Sequence, residues 1–446
     1  MFGWILVSIV AFRKLEPADA VIIIVVGGVL FLPMFSFELP IIPEYDKGSA
    51  IAWSLLLGES LGGTKRYHPL RFTRLDWPMI LWCLVSPIAT SLTNGLGLYN
   101  GLSNIAQNFL QWGVIYWMGR RYFGSPGSLR KLSLALVVGG LLYFPLIVFE
   151  VRMSPQLSRI VYGFFPHSFL QHVRYGGFRP LVFMQHGLMV ALWAAVSAVS
   201  AYWLWRSRAV SNVRGIPTSL ITLAMIVGTI LCKSAGAIVL MTFGIILFSY
   251  YKKTKSTFFF RLALFAPAIY IVFRIWNILP VSTIEMFLAR YFDPERVQSA
   301  LMRMTEEDVF GARARLHPLF GWGGYQRGWP IDPEGGGLLV GMIDALWIIL
   351  FNTYGGLGLV SAFLSLGIGP WMVFRKYKER SHDKKKRGIM PGEIDGVLLS
   401  LVLIIYLFDC LLNAMQNPVY ILCAGALVSY SISPVEVMEN DPPFNP

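Results

Sequence analysis

A chain of 446 residues with 55% hydrophobic and only 14% charged residues is too apolar for a soluble fold, since soluble domains run about 45–50% apolar and about 25% charged. The net charge of +13 would suggest nucleic acid in a soluble protein, but here the lysines gather in short segments between apolar runs. That pattern marks loops kept on the cytoplasmic side of a membrane, so nucleic acid is excluded as a partner. The chain reads as all-α, a polytopic integral membrane helical bundle forming one domain over residues 1–446, with about 12 transmembrane helices.

Met1–Phe12 is apolar but too short to span unaided, and it has neither a basic start nor a small-residue cleavage site, so a half-span or interfacial helix is expected rather than a removable signal. Ala18–Phe35 is expected to run outward to a proline-rich loop, Glu38–Gly48, and Ser49–Leu61 to return towards Lys65, Arg66, Arg71 and Arg74. Trp77–Leu92 goes out, Thr93–Ser103 turns, and Asn104–Met118 comes back to Arg120, Arg121, Arg130 and Lys131. Leu132–Phe149 leads to a first outer loop, residues 150–180. Leu181–Trp205 returns, and Ile216–Cys232 and Ala235–Tyr250 form a hairpin turning at Lys233 and Ser234. Leu262–Leu279 opens into a second, larger outer loop, residues 281–353, which closes with a short re-entrant or interfacial helix, Leu338–Phe351, interrupted by Asp344. Gly355–Phe374 returns to the densest basic run, residues 375–387; Ile394–Leu412 and Pro418–Ser433 form a closing hairpin, and residues 434–446 a disordered cytoplasmic tail. Counted in this order, every lysine-rich loop falls on one side. The four cysteines, Cys83, Cys232, Cys410 and Cys423, lie in or beside apolar runs and read as small core residues.

The two long outer loops break the charge rule. The first carries Arg152, Arg159, Arg174 and Arg179, the second Arg290, Arg296, Arg303, Arg313, Arg315 and Arg327, and neither has a lysine. A guanidinium is a rigid planar fork that grips phosphate oxygens two at a time, whereas a lysine offers one mobile point charge. Any single arginine is better explained by Asp293, Glu295, Glu306, Glu307 or Asp308, or by lipid headgroups; the set together points to a diphosphate site. His167, His172 and His186 fall close together in and just after the first loop. His186 is expected one turn into a helix beside Gln185. The spacing is not that of a helical metal site, because no acid stands three or four residues on, so no metal and no cofactor are expected. Asp409 and Asn413 read as a mid-span polar pair, with a helix–helix hydrogen bond the expected role.

One set of residues resembles a known family. Arg296-Val297-Gln298-Ser299-Ala300 with Arg303, then His317-Pro318-Leu319-Phe320-Gly321-Trp322-Gly323-Gly324, then Gly355-Gly356-Leu357-Gly358-Leu359, is similar to the core of the O-antigen ligase and O-antigen polymerase superfamily. The resemblance covers about 65 residues directly, and the helix count and loop placement extend it over most of the chain. It implies a bacterial inner-membrane enzyme whose active site faces the periplasm. The implied reaction is a metal-independent, inverting glycosyl transfer from a glycan on undecaprenyl diphosphate. The acceptor is a second lipid-linked glycan in polymerases, or lipid A-core in ligases. Membrane lipids and polysaccharide assembly and export proteins are the further partners implied. This chain has Asp344 in Met342-Ile343-Asp344-Ala345 where many members carry a His-Asn pair.

On this reading Arg174, Arg179, Arg296, Arg303 and Arg315 are expected to bind the diphosphate. Asp344, its acidity weakened by burial, is the first candidate for the base that receives the acceptor proton, with His172 and His186 in reserve. A flippase or transporter of lipid-linked oligosaccharide is the competing class, and it would concentrate polar residues at the membrane midplane. A scaffold of an assembly complex would need no arginine or histidine cluster.

Overall fold

Apolar runs without water to satisfy their peptide groups fold as helices, whose hydrogen bonds are internal. The structure is a computed structural model and describes residues 1–39, 42–63, 72–174, 176–278, 285–286, 289–290, 294–324, 326–331, 343–381 and 392–433. Its helices are α1 Gly3–Lys14, α2 Pro17–Phe31, α3 Lys47–Gly62, α4 Arg74–Thr93, α5 over residues 97–122, α6 Pro126–Met153, α7 Leu157–Tyr162, α8 Gly187–Arg206, α9 Thr218–Leu231, α10 Ala235–Thr254, α11 Phe258–Ile275, α12 Pro294–Ala314, α13 Leu346–Ser381, α14 Glu393–Asp409 and α15 Pro418–Ile432. The starts are legible in the chemistry: Pro17, Pro126 and Pro418 sit at the first helical positions, and Asp46, Ser125, Ser234 and Asn417 cap exposed N–H groups. Pro87 lacks an N–H, and the turn before it, Leu81–Val85, widens to a π-turn.

Among the described residues six helices, α4, α6, α8, α10, α11 and α13, are long and apolar enough to cross a membrane, and α2, α9 and α15 are shorter apolar helices. Burial separates centre from rim: the apolar window of α8 is 89% buried, those of α10 and α11 only 33%. The rim exposes Leu220, Leu223, Val239, Ile246, Leu262, Phe265 and Ile269, an apolar outer face suited to hydrocarbon rather than water. At the centre α5 and α15 meet backbone to backbone. A Cβ on Gly119 would stand 2.4 Å from the carbonyl of Leu422, and one on Gly425 would stand 2.1 Å from that of Tyr116. All four cysteines are buried and free.

Contacts of charged side chains include two groups among the described residues. At one end Arg120 pairs with Asp76, Arg121 with Glu59, Arg130 with Asp395, and Lys131 with Glu16 and Asp19. At the other, Lys47 meets the 181–186 segment, Arg179 meets Lys233, Arg274 meets Glu307 and Asp308, and Arg303 meets Asp344. The same two groups follow from the alternation of basic and non-basic loops in the sequence.

Several local expectations are corrected. The turn placed at Thr93–Ser103 shrinks to Asn94–Leu96, because α5 begins at Gly97. His186 is not inside a helix: it is the N-cap of α8, and its ring accepts the N–H of Leu188 at 3.1 Å. Asp344 does not interrupt a helix but precedes α13, which runs unbroken to Ser381 except for a kink at Gly355. Asp409 is the last residue of α14 rather than mid-span, and Asn413 donates to it locally, at 2.6 Å, instead of bridging helices. The expected helix start at Leu338 and the tail 434–446 lie outside the described residues.

Candidate functional site

The site is built on the segment between α7 and α8, which holds only a single 3-10 turn, Phe169–His172, and a short hairpin. Glu150, in the last turn of α6 and 1% exposed, ties both ends of the first outer loop. Its Oε1 accepts the N–H of Leu157 at 2.8 Å, and its Oε2 accepts those of Leu181 and Val182 at 2.7 and 2.6 Å. Lys47 Nζ donates to the carbonyl of Phe183 at 2.9 Å, and Tyr143 reaches the N–H of the same residue. With its peptide groups taken by side chains, 181–185 does not join the helix, and Val182 adopts a φ of 52°.

This arrangement delivers His186 to the loop, where His167 and His172 meet it. The ring nitrogens of the three lie within 4.8 Å of one another. Spacing alone would admit a shared cation, but the hydrogen bonds fix the tautomers differently. A backbone N–H can only donate, so Nδ1 of His167, which receives Ser168 N–H at 2.8 Å, and Nδ1 of His186 both act as acceptors. A neutral ring then carries its proton on Nε2, where a metal would need a lone pair. The Nε2–H of His186 faces Gln171 Oε1 at 3.4 Å. His172 is the reverse: its Nδ1–H donates to the carbonyl of Arg179 at 3.3 Å, and its Nε2 is buried with no partner among the described residues. Two of the three rings would have to surrender backbone hydrogen bonds to bind a metal. The set fits proton chemistry better than coordination.

Burial first, then neighbouring positive charge, holds His172 down to about 4 and His186 to about 3, so both are neutral at physiological pH. Arg179 supplies part of that charge. It is buried, just after the β1–β2 hairpin (β1 Val173–Arg174, β2 Gly177–Phe178), and its guanidinium donates to the carbonyl of Lys233 at 3.1 Å. Lys233 Nζ lies against Gly177, where a Cβ would meet it at 2.3 Å.

Arg303 arrives from the second loop. The buried Arg274–Glu307 pair, 3.0 Å long, locks α12 onto α11, with Tyr270 and Trp347 also donating to Glu307. Arg303, one turn before Glu307, pairs with Asp344 at 3.5 Å, and its charge also acts on His186. Glu306 stands beside this pair, its acidity weakened by burial and by Asp344. The expectation that Asp344 is buried is not met, since its side chain is 35% exposed.

Of the arginines expected to bind diphosphate, Arg179 and Arg303 converge on the histidines. Arg315 does not: it is exposed and caps the carbonyl of Ile275 at the end of α11. The side chains of Arg174 and Arg296 lie outside the described residues. Arg152, Arg159 and Arg327 are exposed, and Arg313 stacks on Trp322, 3.9 Å from the ring centre.

The two glycine-rich motifs grip each other. Trp322 and Gly323 donate to the carbonyls of Asn352 and Thr353, and Gly356 and Leu357 donate to those of Pro318 and Leu319. A Cβ on Gly355 would fall 2.4 Å from the backbone of Leu319, and both Gly321 and Gly355 hold a positive φ. These motifs therefore fix the second loop to the kink of α13; they are a backbone clasp rather than a chemical site. Lys47 was not anticipated as part of this region, although a lysine in an otherwise outer loop was the signal available.

No protein-family model matches the chain, and no curated protein matches it.

Proposed function

We propose that this end of the bundle transfers a glycan from an undecaprenyl-diphosphate carrier to a second glycan, as an O-antigen or exopolysaccharide polymerase, on the periplasmic face of a bacterial inner membrane. On this reading α2–α6, α8–α11 and α13–α15 are the crossings, with the histidines and Arg303 on the side away from the lysine-rich loops. A ligase acting on lipid A-core is the alternative within the same chemistry. The observation that carries the reading is that Arg179 and Arg303, from loops more than a hundred residues apart, meet around two buried neutral histidines with a carboxylate at ion-pair distance.

In the proposed reaction the oxygen of the acceptor hydroxyl attacks the anomeric carbon from the face opposite the diphosphate. The bond from that carbon to the diphosphate oxygen breaks, and its electron pair leaves with the diphosphate. Arg179, Arg303 and the Nε2–H of His186 donate to the oxygens on which charge grows, as fixed donors that need no reorganisation. The hydroxyl proton passes to Asp344, whose partial exposure lets an acceptor reach it, and from there to water. His172 holds the Arg179 strand in register through its Nδ1–H.

The test is the full chain in lipid nanodiscs with a lipid-linked oligosaccharide, read by product length. Arg303→Lys and Arg179→Lys keep the charge and lose the fork, and each is expected to lower the rate by about 10- to 100-fold at unchanged protein level. Full activity in both variants removes the bidentate grip. Translocation of the oligosaccharide without any longer product assigns the chain to the transporter class instead.

A further inference from the structure

A second feature of the same end takes no part in the mechanism above. A cavity of about 350 Å³ opens between α2, α3, α5, the start of α8 and the turn joining α14 to α15. That is the size of a small-molecule site, for which about 300–1,000 Å³ is usual. Its polar wall is Asp46, Lys47, Gln111, Gln185 and Gln416, and its apolar floor includes Ile51 and Met189.

Three observations make it a built site rather than a packing gap. First, Lys47 is only 8% exposed, yet forms no ion pair among the described residues; one of its three N–H groups is held by Phe183. A buried cation without a counter-charge is costly, so a ligand oxygen is the missing stabiliser. Second, the wall is organised ahead of any ligand. Asp46 caps α3 through Ser49 N–H at 2.7 Å, and Gln111 Nε2 donates to its other oxygen at 3.1 Å. Gln111 itself lies on a π-turn of α5, Phe109–Gly113, a local widening that recurs at functional sites. Third, the carboxamides of Gln185, which is exposed, and Gln416, which is half-buried, line the cavity and make no hydrogen bond among the described residues, so both are open to a ligand.

A carboxamide both donates and accepts, and so does a hydroxyl. Three carboxamides, one ammonium and one carboxylate above an apolar floor match a sugar ring, which has a hydroxyl edge and a C–H face. We propose that this cavity is a subsite for one sugar unit of the glycan, held by Lys47, Gln185 and Gln416 through its hydroxyl oxygens. Gln185 directly precedes His186, so one wall of the cavity continues into the histidine cluster, and the sugar bound there belongs to the acceptor chain entering beside the diphosphate. The acceptor role rests on the glycosyl-transfer reading; the sugar site itself does not.

The test uses the full chain in nanodiscs and saturation-transfer NMR with glucose, N-acetylglucosamine and glucuronate as soluble probes. At least one sugar is expected to receive saturation from the unaltered chain, and binding is expected to weaken about tenfold in Lys47→Met and in Gln416→Ala, the loss of one good hydrogen bond, while Arg303→Lys leaves it unchanged. Gln416→Ala touches no backbone group and carries the test if Lys47→Met fails to accumulate. Absence of saturation transfer from all three sugars, or equal binding to Gln416→Ala, overturns the proposal. In the transfer assay the same variant is expected to raise the acceptor KM about tenfold with kcat nearly unchanged. Sugar binding without transfer by the unaltered chain keeps the subsite and removes the glycosyltransferase. Transfer with an unaltered KM in Gln416→Ala does the opposite.

Discussion

Glu150→Gln isolates the device on which the histidine cluster depends. The carboxylate accepts three backbone N–H groups, from Leu157, Leu181 and Val182, at 2.8, 2.7 and 2.6 Å. A glutamine has one acceptor oxygen. Its best placement keeps that oxygen on Leu181 and Val182 and turns its NH2 towards the N–H of Leu157. Two charge-assisted bonds become neutral ones, and two donors face each other in a buried place. With about 1 kcal/mol lost where charge assistance goes and about 1–3 kcal/mol for the stranded donors, the local cost is about 2–4 kcal/mol. That should not unfold the bundle, whose core lies in α8, α14 and α15. It should release the segment from 157 to 186. Hydrogen exchange followed by mass spectrometry is expected to show that segment exchanging roughly 30- to 700-fold faster, with α14 and α15 unchanged. A change below about threefold there would refute the claim that Glu150 holds the loop.

Three further outcomes follow from the same geometry. Gly355→Ala forces a Cβ to 2.4 Å from the Leu319 backbone at a φ of 66°, so the variant is expected to lose the clasp and fail to accumulate, as seen in membrane yield, while Gly3→Ala, which meets nothing within 4 Å, is expected to accumulate normally. The folded-state values of His172 and His186, about 4 and about 3, lie below the ordinary 6.5, so the unfolded chain takes up protons first as pH falls. Stability is therefore complete above pH 6.5 and declines below it, on the order of 2 kcal/mol per histidine by pH 5. A thermal-melting series from pH 7.5 to about 5 is expected to lose most of its slope in a His172→Gln/His186→Gln variant; an unchanged slope would place the proton uptake elsewhere. Finally, the ring tautomers predict that EDTA leaves transfer activity unaffected, and activity abolished by EDTA and restored by zinc would overturn the tautomer assignment.

Much of the molecule was legible residue by residue. Proline and capping residues mark helix starts, and lysine-rich loops mark one end, because those signals act within a turn or a loop. The glycines of Gly321–Gly324 and Gly355–Gly358 were visible as a motif, but their mutual clasp was not, since each half reads only as a turn or a break. Of the loop arginines, Arg179 and Arg303 come to the histidines, whereas the guanidinium of Arg315 is taken by the end of α11. Position in a loop sets which side a charge is on, and packing of α12 through Arg274 and Glu307 sets which arginine faces inward.

Composition and the order of apolar segments were enough to determine a largely helical chain with long apolar helices, because burial of hydrophobic runs is summed locally along the sequence. Only the tertiary structure decided that His186 caps α8, that Asp409 ends α14, and that Lys47 stands over a cavity beside Gln185 and Gln416. Those facts depend on which distant carbonyl, carboxylate or helix end arrives next to each group, and that is settled by packing between elements far apart in the chain.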